Sequence, residues 1–226
     1  MGVFFFAKIL TNQYHQRMNH GYIFDCYGTL VHPISNSGAK EFLQTIKANE
    51  RYYRIDRLMT TPTSIQEHLA SDSFGHIDTI TQSHIINSLQ KDKTTLYDDA
   101  QRIIKHCIGQ NIPFCILSNL SADYKQNIEE LIIEPYRHYH DIIFKVLFSC
   151  DIGYKKPEPA SYELAINFLQ SKGIHKDKMT MIGDNPKYDY LTPLSLGLQA
   201  KRIQRNKKQT DINPQDIIHN FDELMS

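Results

Sequence analysis

Asp25 closes the apolar run Tyr22-Ile23-Phe24 and opens a Gly-Thr turn in the stretch IFDCYGTL, residues 23–30. An acid at the end of a buried strand is costly unless it has partners or work. Its chemical use is as a nucleophile, because carboxylates form covalent intermediates in phosphoryl transfer and related displacements. Three other points supply complementary groups. Ser118 and Asn119 end PFCILSN (113–119). Lys155 and Lys156 precede Pro157 in SCDIGYKKPEP. Asp184 ends KMTMIGD (178–184), and Asp189 follows five residues later. Two carboxylates brought together repel, so a proton or a cation must intervene. A hard ion such as Mg²⁺ suits oxygen ligands, shields Asp25 from an incoming anion and polarises its oxygens. The hydroxyls of Ser118 and Thr29 suit anionic oxygens. Lys156 offers a compact positive charge, and Asp189 reaches the ion directly or through water. Each feature alone has an ordinary explanation as a turn, a solvated lysine pair or a helix cap. Their order along the chain is what points to a site.

The elements that must position them are short apolar runs separated by helical patterns. Runs at 22–27, 113–119, 142–149 and 178–184, with a weaker one at 198–203, read as strands buried on both faces. Between them, 95–111 places Leu96, Ala100, Ile103, Ile104 and Cys107 on one helical face. Residues 158–173 start with acid and Pro and stop at Gly173. Residues 186–197 start at Pro186, with Pro193 shortening or kinking the helix. The alternation predicts an α/β fold, a Rossmann-like parallel sheet whose sites lie beyond the carboxyl ends of the strands. From about 35 to 94 no convincing strand is visible. That interval reads as a helical insertion, a cap on a discontinuous core of 18–34 and 95–226, with 1–17 as a peripheral extension.

The chain has 226 residues, 41% hydrophobic and 22% charged, with 25 basic and 25 acidic side chains. That is a folded composition with no global attraction to nucleic acid. The basic run KRIQRNKK (201–208) reads as a solvated connector. Four scattered cysteines read as buried thiols of a reducing, cytoplasmic setting, and no run approaches a membrane span. The histidines at 138 and 140 read as surface or packing residues. No P-loop, dinucleotide fingerprint or G-x-S-x-G elbow is present.

DCYGTL (25–30), CILSN (115–119), KKP (155–157) and GDNPKYD (183–189) together resemble the motifs of the haloacid dehalogenase superfamily. The resemblance runs from about residue 20 to 203. It implies a Rossmann-like core and a helical cap that closes over the site. It also implies Asp25 as nucleophile, Lys156 as its cationic partner, and an ion held by Asp25, Asp184, Asp189 and the backbone carbonyl of Tyr27. Tyr27 stands where phosphatases of the family carry a second acid, the general acid/base. The D-x-Y-G-T-L form resembles instead the metal-free 2-haloacid dehalogenase branch, which Asn119 and Asn185 would also fit. Of Arg51, Arg54 and Arg57, one is the expected clamp for a substrate carboxylate in that branch.

The two ends of the site therefore point to different reactions. Asp184 and Asp189 carry more negative charge than a metal-free dehalogenase can use, so the expectation is a Mg²⁺-dependent phosphatase. It would act on a small phosphorylated metabolite with a good leaving group, bound at Tyr27, Thr29, Ser118 and Asn119. The alternatives are a 2-haloacid dehalogenase and a weakly active or non-catalytic phosphate binder. Neither nucleic acid nor membrane is an expected partner, and the oligomeric state is not legible.

Overall fold

The computed structural model describes residues 20–46, 50–71, 77–205 and 212–225, with the side chains of Arg51 and Tyr52 excepted. The expected extension at 1–17, the Arg51 side chain and positions 206–208 of the basic run lie outside the described residues.

In chain order, β1 is Gly21–Phe24 and β2 is Val31–Ser35. Four helices follow: α1 (Ser37–Thr45), α2 (Arg51–Thr60), α3 (Ile65–Ala70) and α4 (Thr79–Leu89). Next come β3 (Lys93–Leu96), α5 (Asp98–Gly109), β4 (Phe114–Ser118) and short helical turns over 122–139. The chain continues with β5 (Phe144–Phe148), α6 (Pro159–Ser171), β6 (Met179–Gly183), β7 (Gln199–Ile203) and β8 (Ile217–Ile218). Six strands form one parallel sheet in the order β5-β4-β1-β6-β7-β8.

Alternation along β1 divides the core. Tyr22 and Phe24 point to one face, where Ala100, Ile103, Ile104 and Cys107 of α5 cover them. Ile23 points to the other, against Tyr162, Ala165, Ile166 and Leu169 of α6. Phe24 meets Phe114 and Phe221 edge-on, at ring-centroid distances of 5.7 and 5.4 Å. Both faces are thus covered, which is why these strands read as continuous apolar runs. All four cysteines are free and buried, as expected.

From β1 the chain moves outward through β4 to β5, then returns to the other side of β1 as β6. The carboxyl ends of β1 and β6 flank this switch point, the place where a parallel sheet opens a crevice. Asp25 and Asp184 follow those two strands directly.

The helices α1–α4 share a small core of Phe42, Ile46, Leu58, Ile65, Leu69 and Ile85. The expectation of no strand up to residue 94 is corrected at the root of this insertion. There β2 and β3 form an antiparallel pair with a register shift between Pro33 and Ser35. Strands of four and five residues, mostly partly or fully exposed and including His32, Pro33 and two threonines, carry no apolar run, so this pair left no periodic signal. Leu96 accordingly belongs to β3, and α5 begins at Asp98. After β6, the expected helix is a π turn over Pro186–Leu191 joined to a short α turn over Thr192–Ser195.

Candidate active site

The turn after β1 aims Asp25. Its backbone N–H donates to the Ile182 carbonyl of β6 (2.8 Å), which keeps the two strand ends side by side. The Cys26 carbonyl then accepts from the N–H groups of Thr29, Leu30 and Val31, winding a tight loop. Gly28 sits in this loop at φ +79°, and a Cβ there would lie 2.5 Å from the Asp184 Oδ2. Position 28 therefore needs glycine both for its backbone conformation and for its closeness to the second acid.

Lys156 lies at the centre of the cluster, almost fully buried. Its Nζ donates to Asp25 Oδ1 at 2.6 Å and to Asp189 Oδ1 at 2.8 Å. Burial alone would lower the ammonium pKa. The charges of Asp189 and Asp25 and their hydrogen bonds outweigh it and hold the group well above its ordinary value. Thr29 Oγ1 donates to Asp25 Oδ2 at 2.9 Å, so both nucleophile oxygens are fixed.

Oxygens of Asp25, Asp184 and Asp189 lie within 4.8 Å of one another, and Asp184 is the member open to solvent. Asp189 is buried, and its Oδ2 accepts the Asn185 N–H (3.0 Å). Burial, resisted by Lys156 and reinforced by Asp25, pushes its carboxyl up to about 7. The Asp184 carboxyl is also raised, first because the surrounding protein displaces water, then by the Asp25 charge. Three acids share one lysine, so negative charge is left over. Gly183 gives Asp189 its room, since a Cβ there would lie 2.3 Å from the Asp189 Cγ.

The remaining expected site residues are near but differently engaged. The Asn119 side chain accepts the Lys156 N–H (2.7 Å) and donates to the Lys156 carbonyl (2.8 Å), holding the lysine loop. Ser118 is buried beside the Cys26 thiol. The Tyr27 phenol hydrogen-bonds Thr94 Oγ1 on β3 at 3.0 Å, and burial pushes its pKa up to about 12. Arg54 pairs with Glu50, while the Arg57 side chain is exposed. Lys155 leaves the site and pairs with Asp56 on α2.

A sequence model of haloacid dehalogenase-like hydrolases matches residues 20–197. The chain belongs to this family. It is 24% identical over 169 residues to haloacid dehalogenase-like hydrolase domain-containing protein 3 of Danio rerio. That match covers 69% of this chain and 65% of the relative, just under two thirds of its length. A 2-haloacid dehalogenase structure from Pseudomonas syringae pv. Tomato DC3000 superposes with a TM-score of 0.59 at 16% identity, covering 92% of this chain and 97% of that one. A family enzyme from Bacteroides thetaiotaomicron, in complex with magnesium and inorganic phosphate, gives 0.56 at 12% identity over 85% and 98%. At these identities the structures establish the fold alone, which a dehalogenase and an enzyme bound to magnesium and phosphate share.

The largest omission of the sequence reading is Arg205. It sits within the supposedly solvated basic run, yet its Nη1 lies 3.0 Å from Asp99 Oδ1 and its guanidinium carbon 3.5 Å from the Tyr97 ring centroid. The signal was its position two residues past β7, on the same sheet edge as the other site residues.

Proposed function

We propose that the chain is a Mg²⁺-dependent phosphatase acting on a small phosphorylated metabolite through an aspartyl-phosphate on Asp25. The observation that carries this reading is the trio of carboxylates sharing one lysine. Its donors are all hard oxygens, two of its members have raised pKa values, and one stands open to solvent. This set fits a divalent ion held by Asp25, Asp184, Asp189 and the Tyr27 carbonyl. When bound, such an ion neutralises the acids and polarises phosphoryl oxygens.

The chain's own groups do the rest. Lys156 and Thr29 hold the Asp25 carboxylate so that a lone pair meets phosphorus in line. The Asp25 O–P bond forms while the ester O–P bond breaks, and the leaving oxygen keeps the electron pair. Water then attacks phosphorus, releases inorganic phosphate and restores the carboxylate. Ser118 is the proposed hydroxyl contact for phosphate oxygens; the single proton of the Thr29 hydroxyl, the other expected contact, is given to Asp25 Oδ2. The insertion spanning α1–α4 is the proposed cap.

Tyr27 decides the substrate class. A phenol raised to about 12 and committed to Thr94 is a poor proton donor for the leaving group. Acyl or aryl phosphates, whose leaving groups depart as anions, suit such a site. The same residue favours the second reading, a 2-haloacid dehalogenase in which Asp25 attacks carbon.

A panel of phosphorylated metabolites, with and without Mg²⁺ and extended to halide release from 2-chloropropionate, separates the two. Mg²⁺-dependent phosphate release that disappears in Asp25→Asn supports the phosphatase. Halide release in EDTA without phosphate release overturns it.

A further inference from the structure

Arg205 lies far from Asp25 in sequence, in the basic run KRIQRNKK. Its guanidinium nevertheless reaches the loop that aims the nucleophile. Nη1 donates to both carboxylate oxygens of Asp99, at 3.0 and 3.1 Å, and Nη2 donates to the Thr29 carbonyl at 2.5 Å. The guanidinium also packs over the Tyr97 ring. Asp99 is itself buried, in the first turn of α5, and its Oδ2 also accepts the Phe221 N–H (2.9 Å). The planar fork is thus fixed on two sides before it meets the loop. Thr29 is the residue whose hydroxyl holds Asp25 Oδ2. We propose that Arg205, oriented by Asp99, is a positioning residue: it grips the Thr29 carbonyl and so keeps the Thr29 hydroxyl aimed at the nucleophile.

The geometry excludes direct contact as the basis of this role. Arg205 meets residue 29 through its carbonyl; the loop's other backbone bonds run from Thr29, Leu30 and Val31 to the Cys26 carbonyl, from Gly28 to the Val31 carbonyl and from Tyr97 to the Leu30 carbonyl. The Thr29 carbonyl is where a cation outside the loop can set the rotation of that peptide. A planar guanidinium that holds Asp99 through Nη1 and the Thr29 carbonyl through Nη2 fixes a direction, which a lysine on a flexible stem does not.

The inference rests on Asp25 as nucleophile, which the phosphatase and dehalogenase readings share. The test is a double-mutant cycle on the full chain, comparing the parent, Thr29→Val, Arg205→Met and the double variant. Each is assayed for kcat and KM on p-nitrophenyl phosphate with Mg²⁺, or on 2-chloropropionate if halide release is the activity. Arg205→Met should lower kcat roughly tenfold, the loss of one charge-assisted hydrogen bond, with KM little changed. Arg205→Lys should recover part of that loss. In the Thr29→Val background, where no hydroxyl remains to aim, removing Arg205 should change kcat by less than about twofold.

Losses that multiply in the double variant would show that Arg205 acts only on the fold, and would overturn the inference. An active Asp25→Asn variant would instead overturn the shared nucleophile reading, so the two failures are distinguishable. Amide hydrogen exchange supplies a readout free of turnover. The Leu30 and Val31 amides should lose protection selectively in Arg205→Met, or in Arg205→Lys if the methionine variant does not fold. Unchanged protection there also overturns the inference.

Discussion

Replacing Lys156 by methionine keeps an aliphatic side chain and removes the charge that pairs with Asp25 and Asp189 beside the third acid, Asp184. The magnitude follows from the geometry. At 2.6 and 2.8 Å, the ammonium attracts each of two carboxylates by about 6 kcal/mol at an effective dielectric of about 20. Carboxylate oxygens no more than 4.8 Å apart repel by at least about 3.5 kcal/mol per ionised pair on the same scale. The variant escapes most of that by binding protons, so the net loss is that of a broken buried pair, about 3–5 kcal/mol at pH 7.5 without metal. In a chain of this size that lowers Tm by about 6–20 °C. The deficit should shrink at pH 5, where the orphaned acids accept protons, and Mg²⁺ should restore part of it at pH 7.5. Turnover should disappear under both conditions. Differential scanning fluorimetry at the two pH values measures the effect. A variant melting within 2 °C of the parent at pH 7.5, or with a deficit as large at pH 5, would refute the charge balance drawn here.

Three further outcomes follow from the same geometry. Because the Asp189 carboxyl titrates near 7 rather than in the usual carboxylate range, folding of the metal-free protein weakens as pH rises from about 4 to 7 and then levels; Mg²⁺ must displace that proton, so its affinity by calorimetry should tighten from pH 6 to pH 8, and a flat profile would contradict the coupling. Gly183→Ala pushes a methyl into the Asp189 carboxylate and should cost more than tenfold in kcat with the fold retained by circular dichroism. The partly exposed Lys155–Asp56 pair should contribute no more than about 1 kcal/mol. Asp56→Lys and Lys155→Asp should each raise KM a few-fold, and the swapped double variant should return towards the parent value. KM values untouched by either single change would show that this contact does not seat the helical insertion over the site.

The core sheet was legible because its central strands β1, β4 and β6 are buried along their whole length, while β5 and β7 keep enough buried apolar residues to stand out. Five apolar runs marked β1, β4, β5, β6 and β7 to within a few residues, and the strand-end rule then brought Asp25, Lys156, Asp184 and Asp189 onto one edge. What escaped depends on partners distant in the chain. The β2–β3 pair is too short and polar for periodicity to register. Asn119 looked like a ligand-facing amide, yet both ends of that amide are spent on the Lys156 backbone, which spacing cannot reveal. Arg205 sits among surface-like basic residues; its place two residues past β7 put it on the right edge, but its partner Asp99 is set by tertiary structure.

Asp92 carries a consequence for how the molecule can be divided. Its buried carboxylate accepts the Gly38 and Ala39 N–H groups at the start of α1 and the Tyr124 hydroxyl from the core, while its own backbone leads into β3. One side chain therefore rivets the outgoing and returning stems of the insertion to the same spot. A graft of the helical insertion onto another scaffold must take residue 92 with it. If Asp92 is left behind, the grafted α1 loses its N-terminal anchor and the parent core keeps a buried acid whose remaining side-chain partner is the Tyr124 hydroxyl.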